Sequence, residues 1–315
     1  MPLLKLIPRE TAIPFLNYRK FALIASLLLV LGSVGSWLGI GLYTGIDIRG
    51  GFLIEVRSTT GPADIPQLRD ELGALGLGDV SLQEFGVDTD VVIRVQSQTL
   101  EDSESLSNAD KAAVALVTQT LGEGYDIRRT EYVGAVVGGE LREKAMWAII
   151  AALGAIMIYI WFRFEWPFAV SAILALTHDV ITTIGLFAIT GFEFNLATVA
   201  ALLTIAGYSI NDTVVVFDRV RENLVRYKTH EIPEILTRSL NETLNRTVMT
   251  SITTLLALLS IYLFGGAVLG DFALAMIWGV LIGTYSSIFV ATGTLIYFDL
   301  TPSDEDDTPV PEYER

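Results

Sequence analysis

Six long apolar runs constrain the fold of this chain more than any other feature of its sequence. They cover residues 21–42, 145–162, 166–190, 196–217, 247–264 and 272–298. A helix needs about 20 apolar residues to cross about 30 Å of hydrocarbon. The second and fifth runs are short, and we expect their helices to continue into the flanking residues. The sequence therefore predicts a polytopic α-helical membrane protein with six transmembrane helices in a lipid bilayer.

Composition excludes several other classes of protein. Hydrophobic residues make up 51% of the 315 positions, which is high for a soluble globule. The chain has no cysteine, so disulfides, thiolate metal sites and cysteine nucleophiles are excluded. The net charge of −15 argues against nucleic acid as a partner, because phosphate binding needs a basic face. We expect neither a cofactor nor a resident metal.

The positions of lysine and arginine predict the orientation of the spans. Basic residues precede the first run and fill the loop between the fourth and fifth runs, whereas the loops 191–195 and 265–271 contain none. Short basic loops stay in the cytoplasm, so both termini are predicted to be cytoplasmic. The first run exceeds the roughly 7–15 apolar residues of a signal peptide and no small-residue cleavage pattern follows it. We interpret it as a retained anchor.

A soluble domain is predicted between the first two spans. Alternation and helical spacing indicate strands at 51–58, 80–86, 91–96 and 125–134 and helices at 64–76 and 108–122. The order β-α-β-β-α-β suggests an α+β ferredoxin-like sandwich, without a histidine or a phosphate loop, that binds or moves rather than catalyses. The predicted division is a cytoplasmic segment 1–20, a first span 21–43, an outer domain 44–140, a bundle 141–298 and an acidic disordered cytoplasmic tail 299–315.

Polar side chains interrupt the predicted spans. They are His178 and Asp179 in the third span, Ser209, Asn211 and Asp212 in the fourth, and Arg246 at the edge of the fifth. An ionisable residue at the centre of a spanning helix costs roughly 2.5–3.5 kcal/mol on insertion, so such residues are usually paired or functional. These residues are therefore the candidates for an intramembrane site.

The acid of the fourth span has two interpretations. Asp212 is either half of a structural ion pair or a carboxylate that binds and releases an ion. Arg246 enters the fifth span from the same side of the membrane, so it is either the partner of Asp212 or a side chain that snorkels to the headgroups. A helix movement that changes the distance between them would load and unload the ion.

The remaining polar residues are candidates for helix contacts as well as for ion coupling. His178 and Asp179 either handle protons or bond neighbouring helices, and both share a helix face with Thr182 by i+4 and i+3 spacing. Asn211, Ser209 and Thr182 are polar groups of the kind that bridge packed helices. We expect Asn211 to be such a bridge.

Two local patterns resemble known motifs, and a third motif that would indicate a protease is absent. Ser209 in a Gly-x-Ser sequence, with His178 on another span, resembles a rhomboid serine protease, but Ile210 stands where a glycine should follow. The Gly-x-Gly-Asp of an intramembrane aspartyl protease is absent from the sequence. We therefore expect no enzymatic activity. Gly279 and Gly283 form a Gly-x-x-x-Gly pattern, which predicts close helix packing.

Long segments resemble the SecF branch of the SecD–SecF family of bacterial protein-export membrane proteins. The most specific is "FEFNLATVAALLTIAGYSINDTVVVFDRVREN" (192–223), which is similar to the fourth-span signature of that family. Further similar segments are "TGIDIRGG" (44–51), "VGAVVGGELREKA" (133–145), "THDVITTIGLFAITG" (177–191), "SLNETLNRTVMTSITTLLAL" (239–258) and "LIGTYSSIFVA" (281–291). The family usually has phenylalanine at the position of Ile48 and proline at that of Ala135. Both departures lie where the outer domain is attached.

The resemblance implies the six-span half of an RND-type transporter, paired with a homologous SecD half in a bacterial inner membrane. It implies association with the SecYEG channel, a periplasmic outer domain that contacts or moves with the unfolded translocating polypeptide, and use of the proton-motive force. The coupling ion would be H⁺ or Na⁺. Gly50, Gly51, Gly138 and Gly139 would give the backbone freedom at the two attachments of the outer domain.

An RND-type exporter of small molecules or lipids, driven by protons and working as a dimer, is the alternative function. Such an exporter normally carries twelve spans and two outer domains in one chain, whereas six spans are predicted here. The two functions differ in the partner that they require: a homologous, larger six-span protein or a second copy of this chain.

Overall fold

The structure is a computed structural model that describes residues 11–78, 80–85, 87–96 and 103–300. The first half of the predicted N-terminal segment and nearly all of the predicted tail lie outside these residues. In chain order the elements are α1 (Arg19–Gly39), α2 (Ile46–Arg49), β1 (Gly51–Ser58), α3 (Ile65–Gly73), β2 (Val80–Phe85), β3 (Val87–Gln96), α4 (Ser103–Leu121), β4 (Tyr125–Val133), α5 (Ala135–Arg163), α6 (Trp166–Thr190), α7 (Leu196–Arg226), α8 (Ile232–Phe264), α9 (Gly266–Ser286), a π-helical turn (Ser287–Ala291) and α10 (Thr292–Leu295).

Six helical segments in the described residues are long and apolar enough to cross a membrane, which confirms the predicted number. The third has the predicted bounds, Trp166–Thr190. The second and fifth extend N-terminally, as expected, to Ala135 and Ile232. The fourth continues nine residues beyond the predicted end, because charged side chains of its last turns form i,i+3 and i,i+4 ion pairs such as Arg219 with Glu222.

The start of α7 is fixed by a capping box. The side chain of Asn195 accepts a hydrogen bond of 3.0 Å from the backbone N–H of Thr198, and the Thr198 hydroxyl accepts one of 3.4 Å from the N–H of Asn195. These bonds satisfy backbone groups that a helix end leaves without partners. The cap sets where the helix that carries Asp212 begins.

The segment between the first two spanning helices folds as a four-stranded antiparallel sheet with two helices on one face. The strand order is β2-β3-β1-β4, which is the ferredoxin-like topology that the sequence predicts. Alternate residues of β1, Phe52, Ile54 and Val56, are fully buried against α3 and α4. The opposite face carries polar residues such as Glu55 and Arg94, and it lies over one end of the helix bundle.

Glycines allow two pairs of spanning helices to approach closely. A Cβ atom at Gly279 would overlap the side chain of Ile205, and one at Gly283 would lie 3.2 Å from Cβ of Ser209. The Gly-x-x-x-Gly pattern therefore lies between α9 and α7, where close packing was predicted. A Cβ at Gly185 would likewise overlap Ser33, so α6 packs closely on α1.

The four glycines at the attachments of the sheet domain have different conformations. Gly50 and Gly51 have φ angles of 80° and 139°, which residues with a side chain rarely adopt. Gly138 and Gly139 lie in the first turns of α5 instead, and a Cβ at Gly138 would lie 2.6 Å from the backbone nitrogen of Gly50. The second attachment is thus helical, and Gly138 serves close packing there.

Candidate functional site

Asp179 lies at the centre of a buried polar cluster formed by α6, α7 and α9. Its side chain is fully buried, and its Oδ2 accepts hydrogen bonds from the hydroxyls of Ser209 (2.6 Å) and Ser286 (2.7 Å). Its Oδ1 lies 2.9 Å from Nδ1 of His178. A carboxylate in an apolar interior needs such partners. Both oxygens of Asp179 therefore have partners, and the carboxylate is held in place from three helices.

Hydrogen bonds in the same cluster show which helices the candidates Ser209, Thr182 and His178 contact. Ser209 bridges α7 to α6 as predicted, whereas the Thr182 hydroxyl donates to the backbone carbonyl of Asp179 on its own helix (3.1 Å). His178 and Ser209 both contact Asp179 and are not hydrogen-bonded to each other. The serine thus lacks the base that a serine protease requires. His178 is buried, and its Nε2 has no hydrogen-bond partner among the described residues.

Asp212 lies further along α7 and is only partly satisfied. Its Oδ1 accepts a short hydrogen bond of 2.6 Å from the hydroxyl of Thr247 on α8. Its Oδ2 is buried and has no hydrogen-bond partner in the described part of the chain. The side chain as a whole is half-buried. Asp212 therefore has a free acceptor position, which Asp179 does not have.

The predicted partner of Asp212 is not the one that contacts it. Among the described residues no ion pair joins Arg246 to Asp212; the arginine is exposed, whereas its neighbour Thr247 is buried and donates to Asp212 on α7. Successive helix residues differ by about 100° in direction, so the two cannot face α7 equally well. Arg246 is nevertheless near enough to act on the charge of Asp212.

Asn211 and Arg246 belong to an exposed polar face on α7 and α8. The exposed residues of this polar face are Thr204, Gly207, Asn211, Arg246, Thr250 and Thr253, and Thr254 beside them is half-buried. The four threonine hydroxyls donate to backbone carbonyls of their own helices. No hydrogen bond is found for the side chain of Asn211 within the described residues, so the helix bridge predicted for it is not made among them. Hydrocarbon would leave this amide unsatisfied.

Hydroxyl pairs that the sequence analysis did not single out connect the helices around the two acids. Thr213 lies 2.8 Å from Ser287, and Ser251 lies 2.8 Å from Thr284. Ser26 of α1 lies 3.0 Å from the phenolic oxygen of Tyr285. Serine and threonine are common in spanning helices, so their type alone gave no signal. The position of Thr213 directly after Asp212 in the sequence would have given one.

A second polar contact, also absent from the sequence analysis, joins the sheet domain to the bundle. Arg94 of β3 forms an ion pair with Glu193, which lies in the loop between α6 and α7. The two side chains are only 13% and 9% exposed. The adjoining loop is held by backbone hydrogen bonds of 2.7 Å from Phe194 to Tyr43 and 3.0 Å from Gly45 to Phe194. The contact therefore fixes how the domain sits on the bundle.

Acidic residues outnumber the two arginines, Arg94 and Arg129, at this contact. Burial raises the pKa of the Glu193 carboxyl, Arg94 lowers it, and Asp271 and Asp47 raise it further, with a net rise above the usual range. These residues line a cavity of about 210 Å³ between sheet and bundle, together with Glu55, Gln83, Glu84, Arg129 and Glu131. The domain contact consequently holds a carboxyl group that binds a proton more tightly than a free one.

Sequence comparison places these features in a known family. Residues 113–301 match the family model "Protein export membrane protein SecD/SecF, C-terminal". The protein translocase subunit SecF of Rhodobacter capsulatus is 44% identical over 318 aligned residues, which cover 97% of this chain and 95% of that protein. The SecF subunit of Rickettsia bellii is 42% identical over 94% of this chain and 96% of its own length.

Solved structures have the same fold. The crystal structure of SecDF from Thermus thermophilus, described as a translocon-associated membrane protein, matches 94% of this chain with 34% identity and a TM-score of 0.82. SecDF in a "Super-membrane-facing form" matches with the same identity and coverage and a TM-score of 0.68. The chain spans 39% and 40% of those longer chains.

We predict that docking of the sheet domain on the bundle strengthens as the pH falls. Docking raises the pKa of Glu193, so the docked form binds the proton more tightly, and docking weakens as the pH rises through the raised pKa. The chain has no native cysteine, so spin labels at Gln67→Cys and Thr190→Cys would report the distance between domain and bundle uniquely.

Two variants separate this effect from general titration. In Glu193→Gln the side chain is neutral at every pH, and the docked fraction should lose most of its pH dependence. In Glu123→Gln, which changes an exposed glutamate of the same domain, the dependence should remain. An unchanged pH dependence in Glu193→Gln would contradict the assignment.

Proposed function

The chain belongs to the SecD/SecF family of protein-export membrane proteins, and from this premise we propose that it is an accessory subunit of Sec protein translocation that couples polypeptide movement to the proton-motive force. The observation that carries the proposal is the half-satisfied Asp212, a carboxylate inside a spanning helix with one oxygen bonded and the other free. Structural acids in membranes are normally fully paired, whereas an ion carrier needs an acceptor that can be occupied and vacated.

We propose the orientation that the basic loops require. The segment 1–20, the loop between α7 and α8 and the tail 299–315 face the cytoplasm, and residues 44–140 form a periplasmic domain on a bacterial inner membrane. Arg163 and Asp218, which form a 2.7 Å ion pair between exposed side chains, would lie at the cytoplasmic boundary. Glu193 and Asp271 would then lie on the side from which the proton-motive force delivers protons.

The two buried acids have different roles in this proposal. Asp179 has three partners in place, so it organises the polar cluster with His178 and passes on changes at Asp212 rather than carrying the ion itself. Asp212 is neutral when it binds a proton at Oδ2 and negative when it releases it, and Arg246 stabilises the negative state from the neighbouring helix. Movement of one charge through 100 mV supplies about 2.3 kcal/mol, enough to bias two arrangements of the domain but too little to unfold it.

The donor set around Asp212 favours H⁺ over Na⁺ as the coupling ion. A hard metal cation requires several oxygen ligands at once, whereas a proton requires one acceptor. Thr247 is the single hydrogen-bond partner of Asp212 within the described residues, and at Asp179 a histidine nitrogen occupies one carboxylate oxygen. No group of three or more histidine or acidic residues suited to a metal is found in the described part of the chain.

The polar face supports a SecD half as the partner. Asn211 and Arg246 have no polar partner within the described chain and lie where hydrocarbon would be unfavourable. Small residues such as Gly207 on the same face allow a partner helix to approach closely. A homologous helix pair packed on this face would complete the site around Asp212. Contact of the assembled complex with SecYEG and with the unfolded polypeptide is part of the same proposal.

Removal of the Asp212 carboxyl group tests its role as the ion carrier. In a strain without the native copy, Asp212→Asn should reduce potential-dependent completion of export to the level seen without the subunit, because the amide cannot bind and release a proton. Asp218→Asn is the matched control, since it removes an acid from the same helix at its exposed end and should retain most of the activity. Undiminished export with Asp212→Asn would refute the carrier role.

A bulky side chain on the polar face distinguishes a complex with SecD from the alternative exporter dimer. Gly207→Leu places a side chain on the polar face, where a Cβ at this position would meet no neighbouring atom of the described residues within 4 Å, so the chain should fold while binding of a tagged SecD falls to background. Gly154→Leu makes the same change on α5, where a Cβ also meets nothing within 4 Å, and should leave the complex intact. A chain that purifies only with itself would favour the exporter.

A further inference from the structure

We propose that Ser287 is a second hydrogen-bonding residue of the ion site, whose hydroxyl exchanges between Thr213 and the free oxygen of Asp212. The inference rests on the proposed function, because it concerns the proton that Asp212 is proposed to carry. It adds the first residue of the π-helical turn after α9 to a site otherwise formed by α7 and α8. The role is one of positioning: Ser287 acts by holding or releasing the carboxyl group.

The position of Ser287 supports the assignment. The residue is fully buried, and its hydroxyl lies 2.8 Å from the hydroxyl of Thr213, the residue after Asp212 on α7. It also faces the Asp212 carboxylate, although no hydrogen bond to Oδ2 is formed in this arrangement. A rotation about one side-chain bond would change the acceptor from Thr213 to Asp212. Thr213 would keep a partner, because its hydroxyl donates to the carbonyl of Ser209 at 3.1 Å.

The backbone at Ser287 departs from the α-helix at this residue. The π-helical turn Ser287–Ala291 follows α9, and both the N–H and the hydroxyl of Thr292 bond the carbonyl of Ser287. Single π-helical turns within α-helices often lie at functional sites. The turn here begins at the residue that faces Asp212.

The residue before Ser287 contacts the other acid. Ser286 donates to Oδ2 of Asp179 at 2.7 Å, so the last serine of α9 and the first serine of the π-helical turn lie next to two different carboxylates. A change at Ser287 therefore occurs on an element that also holds Asp179. Ser286 and Ser287 therefore connect Asp212 to the cluster around Asp179 through a second element, in addition to α7.

Ser287 forms a hydrogen bond with Asp212 in each protonation state of the carboxyl group. In the ionised state the serine hydroxyl donates to Oδ2. In the protonated state the new O–H of Asp212 donates to the serine oxygen, and the serine hydroxyl is free to return to Thr213. No atom is transferred to the serine, and the proton stays on the carboxyl group until it is released. Thr247 remains on Oδ1 in both states, and Arg246 is the charged group that acts on Asp212 from α8.

Infrared difference spectroscopy on the purified complex in lipid tests the exchange. The carboxylic C=O band of protonated Asp212 is identified as the band that is absent in Asp212→Asn. Ser287→Ala should shift this band to higher frequency, because the acid loses a hydrogen bond. Thr213→Val should shift it to lower frequency, because the serine loses its alternative partner. Ser171→Ala is the control, a fully buried serine of α6 whose hydroxyl has no partner in the described residues, and should leave the band unchanged.

The outcomes distinguish the inference from the function on which it rests. A band that is present and unmoved in both Ser287→Ala and Thr213→Val would overturn the role of Ser287 and leave the carrier role of Asp212 intact. The absence of any band that depends on Asp212 over the whole pH range would overturn both. A shift in Ser171→Ala equal to that in Ser287→Ala would show a general effect of the bundle and would also overturn the inference.

Discussion

A carboxylate inside a bilayer must find its hydrogen bonds within the protein, and the way Asp179 does so sets the packing of the bundle. Two serines and a histidine reach it, and α7 and α9, which carry the two serines, approach closely at Gly283. The cost of an unpaired acid in hydrocarbon is thus offset by small residues at the helix contacts. One of the helices that satisfy Asp179, α7, also carries Asp212.

The contrast between the two acids gives the site its chemistry. Both lie in spanning helices, but both carboxylate oxygens of Asp179 have partners, whereas Oδ2 of Asp212 has no hydrogen-bond partner in the part of the chain that the structure describes. A fully bonded acid holds its surroundings, and a half-bonded acid can respond to a proton. The Arg94–Glu193 contact stands at the other end of the bundle, where the sheet domain rests on it. A change within the bundle can therefore reach the domain through packed helices and one polar contact.

Much of this arrangement could be predicted from the sequence, and the exceptions have physical causes. Length and apolarity were sufficient for the six spans, and alternation was sufficient for the ferredoxin-like sheet. The end of α7 was misplaced because charges that seemed to close a span are paired along a continuing helix. The contact of Thr247 with Asp212, in place of Arg246, depends on helix rotation, which one sequence does not specify. Arg94 and Glu193 meet only after the domain has docked.

Proton flux measures the central claim most directly. The complex of this chain with SecD would be reconstituted in vesicles that contain a pH-sensitive dye, and a membrane potential would be imposed. We predict H⁺ movement into or out of the vesicles with the wild-type chain and with Asp218→Asn, and none above the leak of protein-free vesicles with Asp212→Asn. Equal H⁺ movement with and without the Asp212 carboxyl group would contradict the account.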